Sequence, residues 1–90
     1  MAKAIVDPDE LRQFAQALRK FNQKLAADLT AMQGRLQQLG ETWRDQEQVR
    51  FQQEFEETTR QLQRFVQASE KHIPFLMRKA ERIDEYLQQR

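Results

Sequence analysis

Acidic side chains are the most obvious candidates for catalytic residues in this sequence, because paired carboxylates can act as a general acid and a general base. They form two clusters, Glu54, Glu56 and Glu57 and then Glu81, Asp84 and Glu85. Acid–base catalysis requires carboxylates that converge in a pocket which perturbs their pKa values. Both clusters fall on the polar face of a predicted helix, and Glu56 has Arg60 four residues on as an expected ion-pair partner. We therefore interpret them as solvated surface.

Other catalytic and metal-binding groups are scarce. The sequence has one histidine, His72, and no cysteine, and the neighbouring Glu70 and Lys71 are too close along the chain to share its helix face. It contains no glycine-rich phosphate loop, nucleophile elbow or metal-binding helix motif. We predict that the protein is not an enzyme, has no catalytic residue, and binds neither a metal nor a cofactor.

Basic residues gather near the end of the sequence, where Arg78, Lys79 and Arg82 alternate with apolar and aromatic side chains. Nucleic-acid binding is typical of a much stronger positive balance than the net charge of +1, and three acidic neighbours dilute this patch. We expect no nucleic-acid partner. We interpret Arg78, Lys79, Arg82 and Tyr86 as a candidate docking end for a protein partner.

Size and composition limit the fold. A chain of 90 residues, 39% hydrophobic and 32% charged, predicts a single domain over residues 1–90 that is too small for a deep active-site pocket. Its longest apolar run, at 73–77, is far shorter than the about 20 residues that span a membrane. Residues 1–6 lack the features of a cleavable secretory signal. We expect no transmembrane segment and a protein that is cytoplasmic before any export.

The first helix is predicted over about 8–39. Asp7 is a favourable N-cap, and Pro8 suits the first helical position. From there apolar side chains recur at steps of three and four as far as Leu39, which is the repeat of one helix face. Gly34 lies between the apolar positions, whereas Gly40 follows the last one, where a helix favours a left-handed residue.

A turn over 40–45 and a second helix over about 46–88 follow. Asp45 can cap this helix, and the apolar periodicity resumes at Val49 and continues to Leu87. Pro74 removes one backbone hydrogen bond inside it. Because the periodicity continues past Pro74, we expect a bend there rather than a break.

Two helices around a short turn predict an all-α antiparallel hairpin, but two helices cannot enclose a core. Counting back from the turn places Pro8 beside Met77, so the chain from about Arg78 is expected to overhang, with a face of Ala80, Ile83, Tyr86 and Leu87 that no other part of the chain covers. We predict that the hairpin dimerises as a four-helix bundle. The expected packing and dimer residues occupy the apolar stripes of both helices: Leu11, Phe14, Leu18, Phe21, Leu25, Leu29, Phe55, Leu62, Phe65, Ile73 and Leu76.

Trp43 is the only tryptophan and falls in the predicted turn. It is either a hydrophobic plug that packs on Leu39 and Val49 or part of a recognition surface. A cysteine-free chain of this size, with two long helices around a turn tryptophan, resembles the WXG family of early-secreted-antigen-like proteins of type VII secretion systems. The Trp-x-Gly turn of that family reads Trp43-Arg44-Asp45 here, and Asp45 retains the helix cap.

The resemblance implies a non-enzymatic interaction protein that is a secreted substrate or export partner of a type VII-like system. It also implies pairing with a second copy or with a related hairpin chain, and contact with the export machinery. The export signal of the family places an acidic residue four positions after a tyrosine, whereas Arg90 follows Tyr86 at that spacing. An intracellular coiled-coil adaptor or structural bundle protein shares every periodic feature, and this alternative stays open.

Overall fold

The computed structural model describes residues 6–89, which form two α-helices. Helix α1 spans Pro8–Leu39 and helix α2 spans Gln46–Gln88. They fold back on each other as a rod of 69 × 18 × 15 Å, with a radius of gyration of 20.3 Å. A compact domain of this length has a radius of gyration of about 12 Å. The predicted two-helix, all-α hairpin is confirmed, and no strand occurs within residues 6–89.

Both helices begin at the predicted aspartate caps. The Asp7 carboxylate accepts a hydrogen bond from the Asp9 backbone N–H at 2.9 Å, and the Asp45 carboxylate accepts one from the Gln48 N–H at 3.0 Å. These bonds satisfy backbone donors that have no partner inside the helix. Pro74 lies inside α2 without ending it, so no break occurs there. The bend expected at this position stays a prediction.

The end of α1 differs from the prediction at Gly40. This glycine is right-handed, with φ −64° and ψ −15°, so the expected left-handed cap does not form. The chain instead tightens into a turn in which the Trp43 N–H donates to the Leu39 carbonyl at 2.9 Å. A Cβ at position 40 would lie 3.3 Å from the Gln37 carbonyl oxygen. Such a contact requires a shift of a few tenths of an ångström, and the right-handed backbone itself is open to any residue.

The seam between the helices is narrow and rich in small and polar side chains. Its buried residues are Ala15, Asn22 and Leu29 from α1 and Thr59, Ser69, Ile73 and Ala80 from α2. Alanine at positions 15 and 80, 1% and 0% exposed, allows the helices to approach closely. The seam therefore leaves most of the large apolar side chains outside it.

A buried polar pair joins the middle of the two helices. The Asn22 amide donates to the Ser69 hydroxyl at 2.8 Å, and that hydroxyl donates back to the Asn22 carbonyl oxygen at 3.1 Å. Asn22 is completely buried, yet both groups are satisfied because each serves as the partner of the other. Any slip of the hairpin register would break both bonds and leave buried polar groups without partners.

The residues of α1 and α2 that face each other differ from those expected when residues are counted back from the turn. Arg12 forms an ion pair with Asp84, and Ala80 is fully buried, so the overhang does not begin at Arg78 and the prediction for Ala80 is wrong. Ile83 is half-buried, whereas Tyr86 and Leu87 are exposed, as predicted.

Two features shift the register toward later residues of α2: helix-type hydrogen bonds continue past Leu39 to Thr42, which moves the reversal of the chain toward α2, and each Cα–Cβ bond tilts toward the N-terminus of its helix. Side chains of α1 lean toward the open end, and those of α2 lean toward the turn. Contacting pairs such as Asn22 and Ser69 therefore involve later residues of α2 than counting predicts.

Removal of one member of the polar pair should destabilise the fold more than removal of both. We expect Asn22→Leu and Ser69→Ala each to lower the free energy of unfolding by about 1–3 kcal/mol, because each leaves a buried partner unsatisfied. The double variant Asn22→Leu/Ser69→Ala should recover most of that loss. Urea denaturation at one fixed protein concentration measures all three, and strictly additive losses would contradict the pairing.

Candidate dimer interface and turn

The large apolar side chains predicted to pack lie in two groups. Leu29 and Ile73 are buried in the seam, and five more are half-buried along its edge: Leu11, Leu18, Leu25, Phe55 and Leu76. The remaining four are exposed: Phe14 by 59%, Phe21 by 53%, Leu62 by 37% and Phe65 by 48%. We call these four exposed residues the aromatic face. These side chains are not buried between α1 and α2.

Helix geometry explains why the aromatic face points outward. Phe14 and Phe21 each precede a buried seam residue by one position, which rotates them by about 100° around α1. The rings of Phe21 and Phe65 meet edge to face, with centroids 6.2 Å apart and an interplanar angle of 88°. Because this contact links α1 to α2, the exposed side chains of both helices form one continuous surface.

Sequence reasoning missed Asn22 as a seam residue. It occupies the same heptad position as Ala15 and Leu29, seven residues from each, and that spacing is the signal that identifies it. The apolar stripe passes through its neighbour Phe21 instead, because periodicity is judged from hydrophobic residues. The seam and the apolar stripe are therefore offset from each other around α1.

The turn carries a second aromatic group. The ring of Trp43 is half-buried and lies 5.7 Å from that of Phe51, which stacks on Phe55 at 5.8 Å. The plug interpretation expected Leu39 and Val49 beside Trp43, and these are 45% and 53% exposed. The aromatic contact of Trp43 is made with Phe51, about two turns into α2.

Asp45 fits this turn because the position needs no left-handed backbone. Its φ is −94° and its ψ is −175°, which any residue adopts, and no described residue has a positive φ. Its carboxylate caps α2, so the departure from the glycine of the family motif leaves the turn intact. The physical argument that aspartate retains the helix start is confirmed.

The acidic clusters behave as surface groups. Arg60 pairs with Glu57 at 2.7 Å rather than with Glu56, so the predicted Glu56–Arg60 pair is wrong. Glu57 also lies 3.8 Å from Arg64, and Glu56 instead accepts a hydrogen bond from the Gln52 amide at 3.2 Å. The hydrogen bond from Arg60 lowers the pKa of Glu57, the opposite of what a general acid needs. Residues 6–89 contain no group of three or more potential metal-binding side chains.

The open end of the hairpin brings together part of the predicted docking end. Lys79, Arg82 and Tyr86 line a groove of about 550 Å³ together with Leu11 of α1, whereas Arg78 does not line it.

On another side of α2, the hydrogen bond with Asp84 raises the pKa of Arg12, which keeps this ion pair charged. Neither α1 nor α2 contains an apolar stretch sufficient to span a bilayer.

The fold and the turn together define a class of protein: a small helical hairpin with a tryptophan turn and an exposed apolar face. The family model WXG100, described as proteins of 100 residues with WXG, matches residues 4–86. The chain belongs to this family, and the resemblance of the turn motif is confirmed. No curated protein sequence matches the chain significantly.

Solved structures of a secreted protein, EsxB from Bacillus anthracis strain Sterne, share this fold. The selenomethionine-labelled form has 21% sequence identity and a TM-score of 0.77, and the match covers 96% of this chain and 98% of that chain. A glutamate-to-glutamine mutant has 20% identity and a TM-score of 0.78, with 96% of each chain covered. At such identity the likeness establishes the fold alone.

Substitutions at position 45 test the role of the cap. We expect Asp45→Ala to lower the free energy of unfolding by about 1 kcal/mol, because the Gln48 N–H loses its acceptor. Asp45→Gly, which restores the family motif, should cost only a few tenths of a kcal/mol, roughly, because glycine exposes the same N–H to water. Thermal melts of both variants measure the difference, and a larger loss for glycine than for alanine would contradict this account.

Proposed function

We propose that this chain is a non-enzymatic interaction module that dimerises through its aromatic face into a four-helix bundle and serves as a secreted substrate or export partner of a type VII-like system. The exposed aromatic face is the observation that carries the proposal. Four large apolar side chains on one side of a soluble hairpin favour a partner surface that removes them from water.

The surface area supports an interface of ordinary size. The chain exposes 7377 Å² to solvent, whereas a compact monomer of 10.9 kDa exposes about 5,600 Å². The excess of about 1,800 Å² exceeds the about 800 Å² that each partner buries in a standard interface. A second hairpin packed along the first would therefore find enough surface for a stable complex.

The position of the aromatic face supports a symmetric pair. Phe21 and Phe65 lie near the middle of α1 and α2, so a two-fold axis close to their rings would superpose the face of one copy on that of the other. Such a self-complementary interface is the commonest arrangement of soluble homo-oligomers. The single domain then contributes two helices of the four, and a related hairpin chain could occupy the same place.

The export role rests on the family and on the secreted relatives. Membership of the WXG100 family and the secreted EsxB proteins of the same fold favour export over the alternative of an intracellular adaptor. The family match spans residues 4–86 and includes the turn with Trp43 and Asp45. A rigid turn at the tip of a rod is a favourable position for recognition.

Phe21→Ala and Phe65→Ala should dissociate the dimer. Each substitution removes two aromatic rings from a symmetric interface, with an expected loss of about 3–5 kcal/mol of dimerisation free energy. Light scattering coupled to size-exclusion chromatography should change from about 22 kDa for the parent, twice 10.9 kDa, to the monomer mass. Phe75→Ala is the matched control, since Phe75 is equally exposed, at 51%, but lies outside the aromatic face.

Three outcomes would count against the dimer: a folded parent at the monomer mass, an unchanged mass in both variants, or dissociation by Phe75→Ala alone. A parent that is monomeric by itself but forms a 1:1 complex with a related hairpin chain would replace the homodimer with a heterodimer. Circular dichroism on the same samples separates loss of assembly from loss of helix.

Export can be assayed in the native host. We expect the tagged chain to appear in the culture medium of the parent strain. In a strain that lacks the ATPase of the type VII system, we expect the chain to stay inside the cells. A cytoplasmic protein of the same host serves as the lysis control. Retention of the chain in both strains would favour the intracellular adaptor.

A further inference from the structure

The open end of the hairpin carries a groove whose chemistry differs from that of the aromatic face. Its outer wall is a row on α2 formed by Phe75, Lys79, Arg82 and Tyr86, and Leu11 of α1 lies opposite. The row has i, i+4, i+7 and i+11 spacing, which places its members on one helix face. Phe75 and Tyr86 are 51% and 62% exposed, so the groove is open, and Lys79 and Arg82 lie between these two aromatic residues along the row. We call it the open-end groove.

The positive and negative side chains in the last turns of α2 lie on different sides of the helix. Lys79 and Arg82 line the open-end groove, and no acidic residue does. Asp84 points instead to α1, where it binds Arg12, and Glu81 and Glu85 lie outside the groove. The sequence suggested that these acids dilute the basic patch, but the helix separates the two signs. The groove therefore presents net positive charge beside exposed apolar surface.

We propose that the open-end groove binds an acidic amphipathic helix of another protein. The row from Phe75 to Tyr86 extends over about 16 Å, or about three helical turns, which suits a short helix laid against α1 and α2. Apolar side chains of the partner would pack between Phe75 and Tyr86. Its carboxylates would reach Lys79 and Arg82 at the rim, where charge complementarity selects the partner.

A second copy of the chain is disfavoured in the groove by the position of Lys79. Heptad spacing from Phe65 leads to His72 and then to Lys79, so the stripe that begins with an aromatic ring becomes polar and then cationic toward the open end. Extending the apolar dimer interface over Lys79 would bury an ammonium group, which is costly without a paired carboxylate. The interface proposed at Phe21 and Phe65 therefore ends before this groove, and the docking proposal does not depend on the dimer.

The binding test uses a synthetic helical peptide with leucine at i, i+3, i+4 and i+7 and glutamate at the flanking positions. Fluorescence anisotropy of the labelled peptide should show saturable binding to the parent protein. Lys79→Glu/Arg82→Glu should weaken binding at least about tenfold, because two attractions become repulsions. Lys20→Glu/Lys71→Glu changes the net charge equally at exposed positions outside the groove and should alter binding by less than about twofold.

Two further variants separate this proposal from the dimer. Phe75→Ala should weaken peptide binding while the dimer mass is retained, and Phe21→Ala should do the reverse. Absence of binding to the parent, equal binding to both charge variants, or equal binding of a peptide with lysine in place of glutamate would each overturn the proposal. Dissociation of the dimer by Lys79→Glu/Arg82→Glu would also overturn it, because a second copy would then occupy the groove.

Discussion

The close approach of α1 and α2 along a seam of small and polar side chains is the constraint on which the rest of this structure depends. Ala15 and Ala80 allow the approach, and the buried Asn22–Ser69 pair fixes the register. A seam this narrow has no room for phenylalanine. The same packing that joins the helices therefore forces Phe21 and Phe65 onto the outer surface, where their edge-to-face contact forms a single apolar face.

The separation of a seam of small side chains from an exposed aromatic face has a thermodynamic consequence. Within residues 6–89, four apolar residues are buried, two of them alanines, and the free energy gained from this burial is small compared with the conformational entropy cost of ordering two long helices. The proposed second hairpin would supply the missing burial, so folding and assembly would be coupled. The two ends of the rod differ in chemistry: the turn presents the aromatic group of Trp43, and the open end presents cations around an apolar groove. The proposed pairing through the middle of the rod would leave both of these chemically distinct ends exposed.

Much of the fold followed from local rules. Asp7 and Asp45 cap their helices because carboxylates accept hydrogen bonds from unpaired backbone N–H groups, and this preference requires no tertiary contact. Other features escaped local reasoning. Periodicity identifies an apolar stripe but does not identify which edge of it meets the partner helix, so Asn22 was overlooked and Phe21 was expected to be packed. Gly40 was assigned a left-handed role, whereas its backbone is right-handed and continues into a tight turn.

The sequence by itself determined two long helices, their caps, the turn with its tryptophan and the excess of apolar surface. All of these depend on neighbours within a few residues, where propensity and hydrogen bonding act directly. Only the tertiary structure decided the register, the burial of Ala80 and the separation of Lys79 and Arg82 from the acids beside them. Those features depend on the direction of each Cα–Cβ bond and on how closely two backbones approach, and neither quantity is encoded in the order of apolar and polar residues alone.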